Sequence, residues 1–202
     1  MKRLRFAILA VGLAAISMPA SADVGGGPGG YDGVSFVHAV RDRDGNKATE
    51  LLQSHGKGIL DSKDDDGNTG LIVAISRSDE EWSGFLIGKG ADPNVQGKGG
   101  DTPLIAAARV GFDTAVEWLL GSGAKVDQTN RMGETPLIVA VQQRQLGAVR
   151  LLLEAGANPD KTDNAAGYSA RDYAKRDTRA RDILTMIEAA KPTKPKMGPT
   201  KP

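Results

Sequence analysis

Gly100-Asp101-Thr102-Pro103-Leu104-Ile105-Ala106-Ala107-Ala108 and Gly133-Glu134-Thr135-Pro136-Leu137-Ile138-Val139-Ala140-Val141 repeat one pattern along the chain. In each, a threonine hydroxyl can accept a hydrogen bond from an early helical amide, and losing such a cap costs about 1 kcal/mol. Proline follows at the first helical position, where its missing N–H is harmless and its φ is already helical. Helices are therefore predicted to start at Pro103 and Pro136. After a break near Gly111, or near Arg144–Gln145, Val116, Leu119 and Leu120, then Val149, Leu152 and Leu153, fall at helical spacing. Gly123 and Gly156 sit just past these second helices and suit a left-handed C-cap.

The pattern extends in both directions. Gly33, Gly67, Gly100, Gly133 and Gly167 recur at spacings of 34, 33, 33 and 34, each followed two residues later by a hydroxyl: Ser35, Thr69, Thr102, Thr135 and Ser169. A second series, Gly56, Gly90, Gly123 and Gly156, follows the first four at a constant offset. Glycine makes up 26 of 202 residues, against roughly 7% in an average chain. This orderly use accounts for the excess. Each unit reads as a helix–turn–helix followed by a turn-rich connector. A unit of that size cannot bury its own apolar faces, whereas stacked units can, each touching only its neighbours.

A period of 33 with Gly-x-Thr-Pro-Leu, two helices and a Gly-Ala ending resembles the ankyrin repeat. The resemblance covers about residues 32–190. It implies an all-α solenoid of about five helix–turn–helix units joined by β-turn or hairpin loops, at about 32–63, 64–96, 97–129, 130–162 and 163–190. Units three and four are close to the family pattern. In unit two Gly70 replaces the proline, which removes a helix-start preference. The N-terminal half, 32–96, is therefore expected to open more readily than 97–162. Units one (Ser35-Phe36-Val37-His38) and five (Ser169-Ala170-Arg171-Asp172) are degenerate, as capping repeats are. The resemblance also places His38 in a hydrogen-bond network tying adjacent turns.

The ends read differently. Residues 1–22, MKRLRFAILAVGLAAISMPASA, place Lys2, Arg3 and Arg5 before an uncharged run of eleven residues, then Pro19 and Ala20-Ser21-Ala22. That is the pattern of a secretory signal peptide, too short in its apolar run for a membrane span. Cleavage after Ala22 and a periplasmic or secreted location are expected, with no membrane insertion afterwards. Residues 23–31 form a glycine-rich flexible lead-in, and 191–202, KPTKPKMGPTKP, a Lys/Pro-rich disordered tail.

Composition narrows the chemistry. Zero cysteines exclude thiol nucleophiles and cysteine zinc sites, and two histidines leave little for a metal centre or a Ser-His-Asp site. Over 32–190 there are 19 basic and 24 acidic residues, a net of −5, which is no electrostatic footprint for nucleic acid and suits a basic protein patch. Asp64-Asp65-Asp66-Gly67 fails the calcium-loop pattern, with Ser62 at position one and Val73 at position twelve, and reads as a solvated tip. Asp42 and Asp44, alternating with Arg41 and Arg43, read as an exposed helix end, and His55 as a favourable residue at a helix C-terminus. Trp118, at the position of Phe85 and Leu151, is expected in the core. Trp82, at the position of Ala115 and Ala148, fits core or surface.

No catalytic, cofactor or metal site is expected. Instead the resemblance implies a concave face that binds an unidentified protein. Its tips would be Asp65, Asp66, Lys98, Gly99, Arg131, Met132 and Glu134. Its helix positions would be Ser76, Arg77, Arg109, Val110, Gln142 and Gln143. The expected protein is a monomeric, non-enzymatic interaction scaffold exported to a bacterial envelope. The alternatives are a secreted effector acting on a host protein and a small hydrolase.

Overall fold

The computed structural model describes residues 32–190. The signal-like segment, the lead-in and the tail lie outside the described residues. Ten α-helices run in pairs: α1 (Asp32–Asp42) and α2 (Gly45–His55), α3 (Gly70–Ser76) and α4 (Glu80–Lys89), α5 (Pro103–Val110) and α6 (Asp113–Gly121), α7 (Pro136–Gln142) and α8 (Leu146–Glu154), α9 (Ala170–Arg176) and α10 (Arg181–Ala189). No strand joins them among the described residues; only the isolated bridges Lys63–Thr69 and Thr162–Ser169 pinch two of the connecting tips.

The helices begin where the local chemistry says they should. Thr69, Thr102 and Thr135 accept hydrogen bonds from the amides of Ile72, Ile105 and Ile138 at 3.3, 3.1 and 3.2 Å. Ser169 caps α9 as half of a reciprocal pair with Asp172. Gly70 takes the proline position for a packing reason. A Cβ there would lie 3.2 Å from Val40 Cγ2 and 3.6 Å from Phe36, so the bulkier ring has little room. Gly90, Gly123 and Gly156 have φ of 94°, 90° and 88°, the left-handed conformation that ends α4, α6 and α8.

The odd-numbered helices pack side by side as one row, and α4, α6, α8 and α10 as a second. The odd-numbered row is the one that the ankyrin resemblance places on the concave, inner side of the stack, and the even-numbered row is the outer one. Between the rows lies one continuous core. It repeats through Phe36, Leu71, Leu104 and Leu137, and through Val37, Ile72, Ile105 and Ile138, all at most 4% exposed. From the outer row come Leu86, Leu119 and Leu152, each 0% exposed. Burying a leucine this fully is worth about 1.5–3 kcal/mol, which a lone hairpin could not obtain.

Unit one departs from the expected register. Ser35 lies inside α1 instead of capping it, and Gly33 is helical, with a Cβ position blocked by Ser62 at 2.5 Å. The true register is marked by turn bonds in which the amides of Asp44, Asp79, Phe112 and Gln145 donate to the carbonyls of Ala39, Ala74, Ala107 and Ala140. The first of these spacings is 35, not 34, because α2 has 11 residues against 10 in α4 and 9 in α6, and a 3-10 segment at Gly56–Ile59 follows it. In this register His38 matches Val73 rather than the family histidine position. It is half-buried, and its ring has no hydrogen bond to a described residue, so the expected turn-tying network is not formed there.

Two further expectations change. Trp118 is half-buried, its ring edge 3.4 Å from where a Cβ of Gly84 would stand, so it covers the seam between α4 and α6 rather than filling the core. Trp82 is also half-buried, edge-on to Phe85 at 5.7 Å. Next to it, Ser83 stands where later units have Val116 and Val149. It is 0% exposed and its hydroxyl has no partner among the described residues. A buried, unpaired hydroxyl costs roughly 1–3 kcal/mol. Ser83→Val is therefore expected to raise unfolding stability by about 1 kcal/mol, measured by urea denaturation. A drop in stability would show that the site lacks room for two methyl groups.

In unit one α2 packs on α1 and on the turn that follows it, and less closely on α4 than the later outer helices pack on one another, with a cleft between Leu52 and Phe85. Fewer shared contacts mean a smaller opening free energy. Amides of α2 are expected to exchange faster than those of α6 and α8 in native-state hydrogen exchange, and equal protection would contradict this.

Candidate protein-binding face

The inner face is built from the C-terminal ends of the odd helices and from the connecting tips, and both are fixed by hydrogen bonds between units. At the tips, the Lys98 amide donates to Asn68 Oδ1 at 3.0 Å, the Arg131 amide to the Gly99 carbonyl at 3.0 Å, and the Asn164 amide to the Met132 carbonyl at 2.8 Å. Farther down, Asp61, Asn94 and Asp127 accept from the amides of Asp92, Lys125 and Asn158 at 2.9, 2.8 and 3.0 Å. These three acceptors are themselves spaced by one full repeat.

A buried acceptor anchors three of the four tips. Asp64 is 6% exposed, accepts from the Asn68 amide at 2.9 Å and is paired with Arg41. It is therefore a structural anchor, and only Asp65 and Asp66 form the solvated tip expected of the whole triplet. Asn130, 8% exposed, accepts from the amides of Met132 and Glu134, both at 3.0 Å, and donates to Asp101 at 2.9 Å and Glu134 at 2.8 Å. Asp163, 4% exposed, accepts from three successive amides, Ala165, Ala166 and Gly167, and from the Tyr173 hydroxyl at 2.6 Å. Burial alone would push the Asp163 carboxyl up. The Tyr173 hydroxyl and the turn amides outweigh it and hold the pKa below the usual carboxylate range. At the fourth tip the equivalent residue is Gly97, because a Cβ would meet Asn68 Oδ1 and Ile72 Cδ1 at 2.7 Å.

The anchors went unread in the sequence, although Asp64, Asn130 and Asp163 keep step with the same repeat. Their signal was a periodic Asp/Asn, weaker than the glycines because Gly97 interrupts it.

Of the residues expected on the binding face, Asp65, Asp66, Ser76, Arg77, Lys98, Gly99, Arg109, Val110, Arg131, Met132 and Gln143 are exposed, and Gln142 is half-buried. Glu134 is 8% exposed and holds the Asn130 side chain, so it belongs to the scaffold and not to the contact surface. Several others are engaged within the stack. Arg77 reaches across to the carbonyls of Val40 and Arg41, Lys98 pairs with Asp66 at 3.4 Å, and Arg109 pairs with Asp101 at 2.7 Å. Arg41 and Arg43 are likewise committed, to Asp64 and to Asp79, rather than forming a bare helix end. His55 links the end of α2 to Asp32 at 2.9 Å.

The last two units are clamped by Arg144, which donates to Asp177 at 2.6 Å. This bond, with the Arg179 amide and guanidinium, holds the Asp177 pKa at about 2, against 3.8 for the free side chain. A depressed folded-state pKa means that the clamp's stabilisation is complete above about pH 4 and is lost as pH falls toward 2. Arg144→Gln is expected to move the Asp177 carboxyl titration, followed by NMR, back toward 3.8. An unmoved titration would assign the shift to Arg179.

Among the described residues no three His, Asp or Glu side chains converge as metal ligands, and no helix is long and apolar enough to cross a membrane. The family model for ankyrin repeats matches residues 83–163 in three copies. A search of curated proteins found no match. Residues 83–163 are thus ankyrin repeats in three copies, flanked on both sides by units of the same helix–turn–helix build.

Proposed function

We propose that the chain is a non-enzymatic scaffold, exported to the bacterial envelope, that holds a protein partner on the inner face of its repeats. Ankyrin repeats are interaction scaffolds, and one observation carries the choice of face. Met132 is 53% exposed at a tip whose backbone is tied at both its amide and its carbonyl. A turn whose backbone is already fixed spares the cost of ordering the loop on binding, and the flexible thioether can adapt to a partner surface. Val110, 37% exposed, adds a second apolar side chain at the end of α5. Export rests on the three-part pattern of residues 1–22.

The test of the face is charge-neutral. Val110→Ser with Met132→Ser removes exposed apolar surface and touches no core contact. Bait carrying both changes is expected to lose the partner captured by the wild-type chain from an envelope fraction. Undiminished capture would place the contact elsewhere. For export, the mass of chain recovered from a periplasmic extract is expected to start at Asp23. Intact chain found with the cytoplasmic fraction would remove the envelope from this reading.

A further inference from the structure

His55 ends α2 with an oxygen against each of its ring nitrogens. Nδ1 lies 3.2 Å from the Leu51 carbonyl, one turn back, and Nε2 lies 2.9 Å from Asp32 Oδ2 at the start of α1. A carbonyl and an ionised carboxylate can only accept. A neutral imidazole carries one N–H and satisfies one of them, whereas the imidazolium carries two and satisfies both. The site favours the cation on a second ground, because the C-terminal end of a helix attracts positive charge. Asp32 is the carboxylate within bonding distance of the ring. Lys63, from the connector, lines the same hollow together with Gly58, Ile59 and Ser62, and Lys57 follows in the 3-10 turn.

The bond holds a helix that has few other holds. Of the eleven residues of α2 only Ala48 and Leu51 are buried, and a cleft separates Leu52 from Phe85 of α4. Beyond its end, Gly56 and Gly58 have open space where a Cβ would stand. The opposite end is secured without the imidazole, by the Asp44 cap and by the Arg43–Asp79 pair.

We propose that His55 is a pH-sensitive latch, which as the imidazolium ties the last turn of α2 to the start of α1 and on losing its proton releases that turn. An imidazole changes charge between about pH 5 and pH 8. The extra bond belongs to the protonated form, so the hold is complete at the acid end of that range and weakens as pH rises. Its sign is opposite to that of the Asp177 clamp. The two side chains are 42% and 41% exposed, so the effect is that of a solvent-screened pair, local to α2.

Native-state hydrogen exchange at about pH 5 and about pH 8 tests it, with rates converted to protection factors to remove the intrinsic effect of pH. Protection of amides 51–56 is expected to fall by about threefold at the higher pH, while α6 and α8 keep theirs. His55→Gln should begin at the lower level and show no fall, and Asp32→Asn should remove most of the fall. Both changes are on the surface and remove no core contact. His38→Gln, which alters the other of the chain's two histidines, should retain the fall. Constant protection in the wild type, a fall that persists in His55→Gln, a full fall in Asp32→Asn, or its loss in His38→Gln would each overturn the proposal.

Discussion

Gly133→Ala is expected to destabilise the protein by about 2–4 kcal/mol in chemical denaturation, a large effect for one methyl group. Two costs combine. Gly133 has φ of 78°, which an L-residue adopts at a cost of about 1–2 kcal/mol. The added Cβ would also stand 2.7 Å from the Asn164 backbone nitrogen, and that amide is the one that ties the last tip to the Met132 carbonyl. Backbone cannot swing aside as a lysine end can, so the inter-unit bond must stretch. Gly167→Ala is the matched control. Its φ of 69° carries the same conformational cost, but nothing lies within 4 Å of the new methyl. It should lose about 1–2 kcal/mol only. Equal losses at the two positions would mean that the tip ladder contributes nothing to stability. Because Gly133 neighbours Met132, the same variant should also loosen the proposed contact surface.

Asp163→Ala should cost a similar amount, about 2–4 kcal/mol, by a different route. The change removes no large apolar contact. It leaves three turn amides and the Tyr173 hydroxyl without an acceptor in a place where the replaced side chain is 4% exposed. Unmade bonds in such a place cost more than made ones contribute. Asp163→Asn separates the parts. An amide oxygen can still receive the turn amides, so this variant should retain about half of the lost stability. Tyr173→Phe should be milder still, since the carboxylate keeps its backbone donors. If Asp163→Ala unfolds at the wild-type denaturant midpoint, water replaces the carboxylate and the anchor is not structural.

These effects show where the sequence was transparent and where it was not. Thr102-Pro103 and Thr135-Pro136 act within one helical turn, so their roles can be read without any fold. The same holds for Gly90, Gly123 and Gly156, whose left-handed φ follows from ending a helix. The hydroxyl series failed at Ser35 because unit one is two residues longer than the repeat, and only the turn bond from Asp44 to Ala39 reveals it. Asp64 and Glu134 looked like surface acids. Each is buried by a partner, Arg41 in one case and Asn130 in the other, and burial of a charge depends on who faces it.

By itself the sequence determined that paired helices start at the threonine caps, stop at glycine and must stack to hide their apolar sides. Those outcomes depend on interactions within a few residues and on a repeated period. Only the tertiary structure decided which aspartates anchor the tips, how unit one is registered, and which inner arginines are held by acids of another unit. Burial of the anchors depends on partners from the neighbouring unit, Arg41 on Asp64 and Asp101 on Asn130, and no local preference specifies that neighbour.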